Sequence, residues 1–165
     1  MIHYKLNQKG FSLIEMMVVV VILGLIVLGL VTFFTGGTKS WVAGQSQLEA
    51  QRNARQAMDR MVREIREGNS IESGSNATSI TINYLASFGK SSVTYSLSDT
   101  TISRDGSPLI NNVQSLTFTY FDSSGNPVVP ENASKAHINL EVDVDKDSNP
   151  DITLNTDVNL RNYGL

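Results

Sequence analysis

Cysteine is absent from all 165 residues. No disulfide holds this chain, no thiol acts as its nucleophile, and no thiolate ligates a metal in it. The absence does not argue against an oxidising compartment. Histidine is scarce: His3 lies in the N-terminal stretch and His137 at the start of an expected strand. No nucleophile motif surrounds either, and His137 reads as a surface strand residue. No phosphate-binding loop and no dinucleotide-binding glycine pattern occurs. An enzyme is therefore not expected. Positive charge is scarce where a nucleic-acid reader would need it. Gly68 to Leu165 holds five basic and eleven acidic residues, against a whole-chain net charge of -3. Such an acidic part is poorly suited to gripping a phosphate backbone, and nucleic acid is not an expected partner. It suits a domain that must stay soluble after export.

The stretch KGFSLIEMMVVVVILGLIVLGLVTFF, Lys9 to Phe34, contains no basic residue after Lys9, yet it carries Glu15. From Met16 to Phe34 only Thr32 is polar. At ~1.5 Å per residue, nineteen helical residues span roughly 28 Å, close to the hydrocarbon thickness of a bilayer. Lys5 and Lys9 precede the run, which keeps the N-terminus cytoplasmic and exports the rest. The run is too long for a signal-peptide core, and Trp41-Val42-Ala43 is a poor cleavage site. An uncleaved anchor accounts for the length and the lysines but not for Glu15. A carboxylate in a bilayer costs a few kcal/mol and usually has a partner. A cut between Gly10 and Phe11 would create one. The new α-amine, four residues before Glu15, would be largely protonated at neutral pH. The two charges could neutralise each other within a chain or between parallel neighbours, and at low dielectric such a pair matters.

KGFSLIEMMVVVVILGLI resembles the class III signal of type IV prepilins and type II secretion pseudopilins. The shared features are a short basic leader, a Gly, an aromatic residue, and Ser-Leu-Ile-Glu running into a long apolar helix. The resemblance implies that Gly10 ends the leader and that a membrane prepilin peptidase cuts after it and N-methylates Phe11. Glu15 would pair with the N-terminal amine of a neighbouring subunit during assembly. The implied partners are other minor and major pilins or pseudopilins, the peptidase and the inner membrane. The implied place is a single pass of that membrane, N-terminus cytoplasmic and head exported, with entry into a periplasmic or surface filament.

Gly24 and Gly29 are five apart and make no dimer face; they weaken the helix locally, or are simply tolerated there. Gly36-Gly37 reads as a kink. From about Ser40 to Glu67 the pattern is helical, with Ala54, Ala57, Met58, Met61, Val62 and Ile65 in one apolar stripe. Asp59 with Arg63, and Arg63 with Glu67, stand at i,i+4. Arg52, Arg55, Arg60, Arg63 and Arg66 make a basic set, either a face for acidic neighbouring heads or an ordinary solvated face. Gly68 is a natural helix stop. Beyond it the period becomes two. Ile80, Ile82 and Tyr84; Val93, Tyr95 and Leu97; Leu116, Phe118 and Tyr120; Ile138, Leu140, Val142 and Val144; and Ile152, Leu154, Thr156, Val158 and Leu160 read as strands. Asp105-Gly106 and Ser123 to Pro127 read as turns.

The expected class is thus α+β: a long N-terminal helix, half membrane-spanning and half amphipathic, packed on a mostly antiparallel sheet. This is the type IV pilin architecture. The expected divisions are a leader at 1–10, a membrane or filament-core helix at 11–37, an amphipathic helix at 38–67 and a β-rich head at 68–165. RNARQAMDRMVREIREG, NNVQSLTFTYFDSSGNPV and VNLRN resemble J-type minor pseudopilins and W-type minor pilins. That implies a minor subunit that initiates or caps a filament. The alternative is a tip-located binding module, an adhesin or DNA-uptake pilin, which a surface patch of Arg52, Arg55 and Arg60 would favour. No cofactor is required. One metal candidate stands out: Asp143, Asp145, Asp147, Asn149 and Asp151 place an oxygen side chain at every second residue, as at the start of a calcium loop. Ser148 replaces the sharp-turn Gly and Leu154 the bidentate Glu, so an Asp/Asn-rich β-turn is the competing reading.

Overall fold

The computed structural model describes residues 10–89 and 91–164. The leader residues before Gly10, with His3, Lys5 and Lys9, lie outside them. The chain divides into two compact units, Met1–Gly44 and Gln45–Leu165. One helix, α1 (Leu13–Glu67), begins in the first unit and ends in the second. It runs through Gly36-Gly37 without interruption.

In the first unit the apolar residues of α1 face outward all round, so every side chain from Met16 to Phe34 is exposed. A helix apolar on every face suits lipid or a helical bundle rather than water. Its threonine hydroxyls are already satisfied. Thr32, Thr35 and Thr38 donate back to the carbonyls of Leu28, Val31 and Phe34 at 3.1, 2.9 and 3.0 Å. Such back-bonding lets a hydroxyl sit in hydrocarbon without an orphan donor.

In the second unit α1 is one-sided. Ala54, Ala57, Met58, Met61 and Ile65 are buried, while Arg52, Arg55, Asp59, Arg63 and Arg66 are exposed. The helix ends at Glu67, and Gly68 follows where a side chain would overlap Ile82 Cγ2; it is room, not a left-handed φ, that calls for glycine there. Its last carbonyls, which an α-helix leaves unpaired, are taken up by the chain's far end. Arg161 N–H donates to Arg66 O at 2.8 Å, and Asn162 Nδ2 to Glu67 O at 2.9 Å. Tyr84 Oη donates to Glu64 O at 3.0 Å.

The strands are β1 (Ser70–Ile71), β2 (Ser79–Asn83), β3 (Ser92–Ser98), β4 (Thr101–Arg104), β5 (Ser107–Ile110), β6 (Val113–Phe121), β7 (Lys135–Val142) and β8 (Ile152–Asn159). They form two sheets rather than the single one expected from the period-two runs. One has five strands in chain order, β1 to β5, and the other three, β6 to β8; every pairing is antiparallel. The break falls where Asn112 adopts a left-handed φ of 60° and turns the chain between β5 and β6. The tight turn after β4 is Asp105-Gly106, with φ of 49° and 77°, the signs that a two-residue hairpin loop of this kind requires. Pro108 is tolerated because β5 is an edge strand. Register places apolar residues opposite one another: Ile80 on Tyr95, Ile82 on Val93, Phe118 on Ile138, Leu140 on Leu154. The helix stripe and both sheets share one hydrophobic core.

A polar clasp fixes helix to sheet at the edge of that core. Glu64 accepts from Tyr95 Oη at 2.6 Å and from Arg104 Nε and an Arg104 terminal nitrogen at 3.0 and 3.1 Å. Arg60 approaches it at 3.6 Å. Burial pushes the Tyr95 hydroxyl well above its ordinary range, and the bond and charge of Glu64 add to this. Among the described residues the i,i+4 ion pair on this helix is Arg60–Glu64; the Asp59–Arg63 and Arg63–Glu67 spacings picked from sequence do not bring Arg63 into an ion pair. The two-pronged Arg104 contact fixes geometry as well as contributing energy. Replacing Arg104 by Ala leaves a mostly buried carboxylate short of its main donor. Stability in urea should fall by about 1–3 kcal/mol, with Arg104→Lys recovering only part of it.

Candidate functional site

Three groups of residues carry the functional expectations. The first is the N-terminal segment. Gly10 is exposed non-helical backbone with nothing within 4 Å of where a side chain would be, so its peptide is accessible. Phe11 is 80% exposed. Leu13 opens the helix, which makes Glu15 its third residue. Glu15 accepts the Ser12 N–H at a long 3.5 Å, while Met16 N–H donates to Ser12 O at 3.2 Å. Glu reaching back to the cap residue is half of a capping box. The Ser-x-x-Glu pattern was visible in FSLIE, and it supplies a local role for Glu15 that the sequence reading overlooked. A contact of that length in the exposed first turn leaves the carboxylate open to a stronger donor.

The second group is the arginines of α1. At about 100° per residue, Arg52, Arg55, Arg63 and Arg66 fall within an arc of about 80°, roughly opposite the buried stripe. All four are exposed. Arg60 lies on the other flank, engaged with Glu64. The patch of Arg52, Arg55 and Arg60 that would favour a binding module is therefore not one face.

The third group is the acidic loop between β7 and β8. Three of its five candidates come together: Asp143, Asp145 and Asp151 each place one carboxylate oxygen within 4.8 Å of the others. Asp147 is not part of that group, and Asn149 is engaged with Asp147. They bond each other, Asn149 N–H to Asp147 Oδ1 at 2.8 Å and Asn149 Nδ2 to Oδ2 at 3.2 Å. Asp143 is 8% exposed, and its two oxygens accept the N–H groups of Lys146 and Ser148 at 2.7 and 2.9 Å. Asp151 accepts Val144 N–H at 2.7 Å. Lys146 and Ser148 take left-handed φ values of 63° and 73°. The loop is thus an Asp-stapled turn that already holds its own shape.

Its charges remain crowded. The Asp147 N–H pulls the Asp145 pKa down, but desolvation and the charges of Asp147, Asp151 and Asp143 outweigh it and raise the pKa overall. The Asn149 backbone and side-chain bonds hold Asp147 low. A raised folded-state pKa means that ionised Asp145 disfavours folding. Its favourable contribution is present at acid pH and is lost as pH rises through the folded value. Asp145→Asn should therefore raise the melting temperature at neutral pH. The gain should fade as pH falls below the carboxylate range, where Asp145 is protonated in both states. A gain of equal size at every pH would show that charge crowding is not its cause.

The prokaryotic N-terminal methylation motif matches residues 5–31. No curated protein matches the chain. The matched stretch holds Gly10, Phe11 and Glu15 and the first part of the exposed apolar helix. The chain carries a type IV prepilin-like signal, and its long helix with antiparallel sheets is a type IV pilin-like architecture. The apolar helix is consistent with a membrane-anchored pilin.

Proposed function

We propose that the chain is a minor pilin or pseudopilin, a structural subunit that helps initiate or cap a type IV pilus or type II secretion pseudopilus. It acts by packing rather than by catalysis. The observation that carries this reading is the methylation motif set on a helix that is apolar on all faces and holds Glu15 as its one carboxylate up to Glu49. A prepilin peptidase cuts between Gly10 and Phe11 on the cytoplasmic side and methylates the new amine. The chain waits in the inner membrane, head exported, until Glu15 meets the Phe11 amine of an adjacent subunit. That donor is stronger than the Ser12 N–H, because an ion pair at low dielectric outweighs a long bond from an uncharged donor. The tip-located adhesin or DNA-uptake alternative has less support, because Arg60 is turned to Glu64.

The test is Glu15→Val. The variant should insert in the membrane at least as well as the parent, since it removes a cost of a few kcal/mol. It should be lost from filaments and from crosslinks to partner subunits. Normal filament entry by the Val variant would refute the pairing.

Calcium at the β7–β8 loop is a secondary proposal. The fit is partial. Oxygens up to 4.8 Å apart can share one ion at ~2.4 Å, but three carboxylates supply fewer than the six to eight oxygens that Ca²⁺ takes. Backbone carbonyls or water would complete the shell, so affinity is expected in the weak range of about 10⁻⁴–10⁻³ M. Full-length protein in detergent should melt higher in millimolar calcium than in chelator. The difference should vanish in an Asp145→Ala/Asp151→Ala variant. A melting point indifferent to calcium leaves only the stapled turn.

A further inference from the structure

Arginines on a solvated helix normally find carboxylates at i±3 or i±4. Arg52, Arg55, Arg63 and Arg66 do not, although Asp59 stands among them; among the described residues none of the four guanidinium groups has an ion pair or hydrogen bond. Together with Leu48, 69% exposed on the same arc, they make a straight stripe of four like charges and one apolar side chain. With Asp59 included, the stripe carries a net charge of about three positive.

The same head carries the matching opposite charge. Asp143, Asp145, Asp147 and Asp151, with only Lys146 against them, make the β7–β8 loop about three negative. Asp145, Asp147 and Asp151 are exposed. The loop does not reach the stripe of its own chain. Its flanks, Val142 and Val144, share a groove with Ser46, Glu49, Ala50 and Asn53, on the side of α1 that faces the sheets. Arg63 and Arg66 lie about 20 Å further along the helix axis, where Arg161 N–H meets the Arg66 carbonyl.

We propose that the arginine stripe of one copy docks the β7–β8 acidic loop of a second copy. The reading rests on the chain being a filament subunit, since parallel insertion in one membrane sets neighbouring heads side by side. A displacement of about ten helical residues, roughly 15 Å along the axis, brings the neighbour's loop level with Arg55 to Arg66. The contact is heterologous: each copy keeps one unused stripe or one unused loop, so copies add in a row rather than closing as a dimer. Arginine is the fitting residue, because its planar fork binds carboxylates two-pronged. Salt between the heads would screen the contact.

The chain has no cysteine, so engineered cysteines report cleanly. Full-length protein in detergent, with chelator present to keep cations off the loop, is oxidised as Arg63→Cys/Asp147→Cys and as each single variant. The double variant should give a ladder of dimers, trimers and longer chains, and the single variants no ladder. Adding Arg52→Glu, Arg55→Glu and Arg66→Glu should lower the yield by about tenfold, as expected when several exposed pairs are lost together. Adding Asp145→Lys and Asp151→Lys to that variant should restore it. A ladder unaffected by the reversed stripe overturns the proposal. So does a stripe that binds anionic phospholipid vesicles while the double variant stays monomeric. Because the ladder is read without filaments, its absence beside Glu15-dependent filament entry refutes this contact alone. A ladder from a chain whose Glu15→Val form assembles normally refutes the core pairing instead.

Discussion

Five side chains on one face of a helix organise the head. Ala54, Ala57, Met58, Met61 and Ile65 are the part of α1 that both sheets bury. Fully burying a methionine or isoleucine is worth about 1.5–3 kcal/mol each, so this stripe ties helix to strands with several kcal/mol of apolar burial. The alanines let the sheets approach closely. Gly68 follows the helix end, where Ile82 leaves no room for a side chain. The clasp of Glu64 with Arg104 and Tyr95 then fixes the position that the apolar contact alone would leave free to slide. A satisfied polar network at the rim of a core specifies one arrangement among several of similar hydrophobic energy.

The same helix serves a second environment in the other unit, and the rules there invert. Apolar side chains surround it, and polar atoms are tolerated only where something answers them. The threonines answer themselves through backbone carbonyls. Among the described residues Glu15 has one long contact, to Ser12, which leaves the carboxylate open to the stronger partner proposed for it. Charge elsewhere follows the same logic of separation. Four exposed arginines share one arc of the helix, three exposed aspartates share the β7–β8 loop, and the crowding that raises the Asp145 pKa marks that loop as short of positive charge.

Much of this was legible in the sequence, for physical reasons that differ by element. The apolar run and the amphipathic stripe were plain because periodicity is a direct record of environment. The paired strands around Ile80, Tyr95, Phe118 and Leu140 were plain for the same reason. Asp105-Gly106 declared its hairpin because few residues tolerate its backbone. The division into two sheets was not legible, because it depends on the left-handed Asn112 and not on any change of pattern. The Glu64 clasp was hidden for a related reason. Its partners stand 31 and 40 residues away, and local i,i+4 logic sees only Arg60. In the acidic loop the alternation of oxygens suggested five equivalent ligands. The fold brings Asp143, Asp145 and Asp151 together and turns Asp147 onto Asn149, a distinction set by backbone turns that spacing does not record.

The account stands on one covalent event, the release of an amine four residues before Glu15. The most direct measurement is the mass of the N-terminal peptide from full-length protein extracted from membranes of cells that hold a prepilin peptidase. The account predicts a chain that begins at Phe11 and carries one added methyl group on its α-nitrogen. An intact Met1 in such cells, or a cut beyond Phe34, would contradict it.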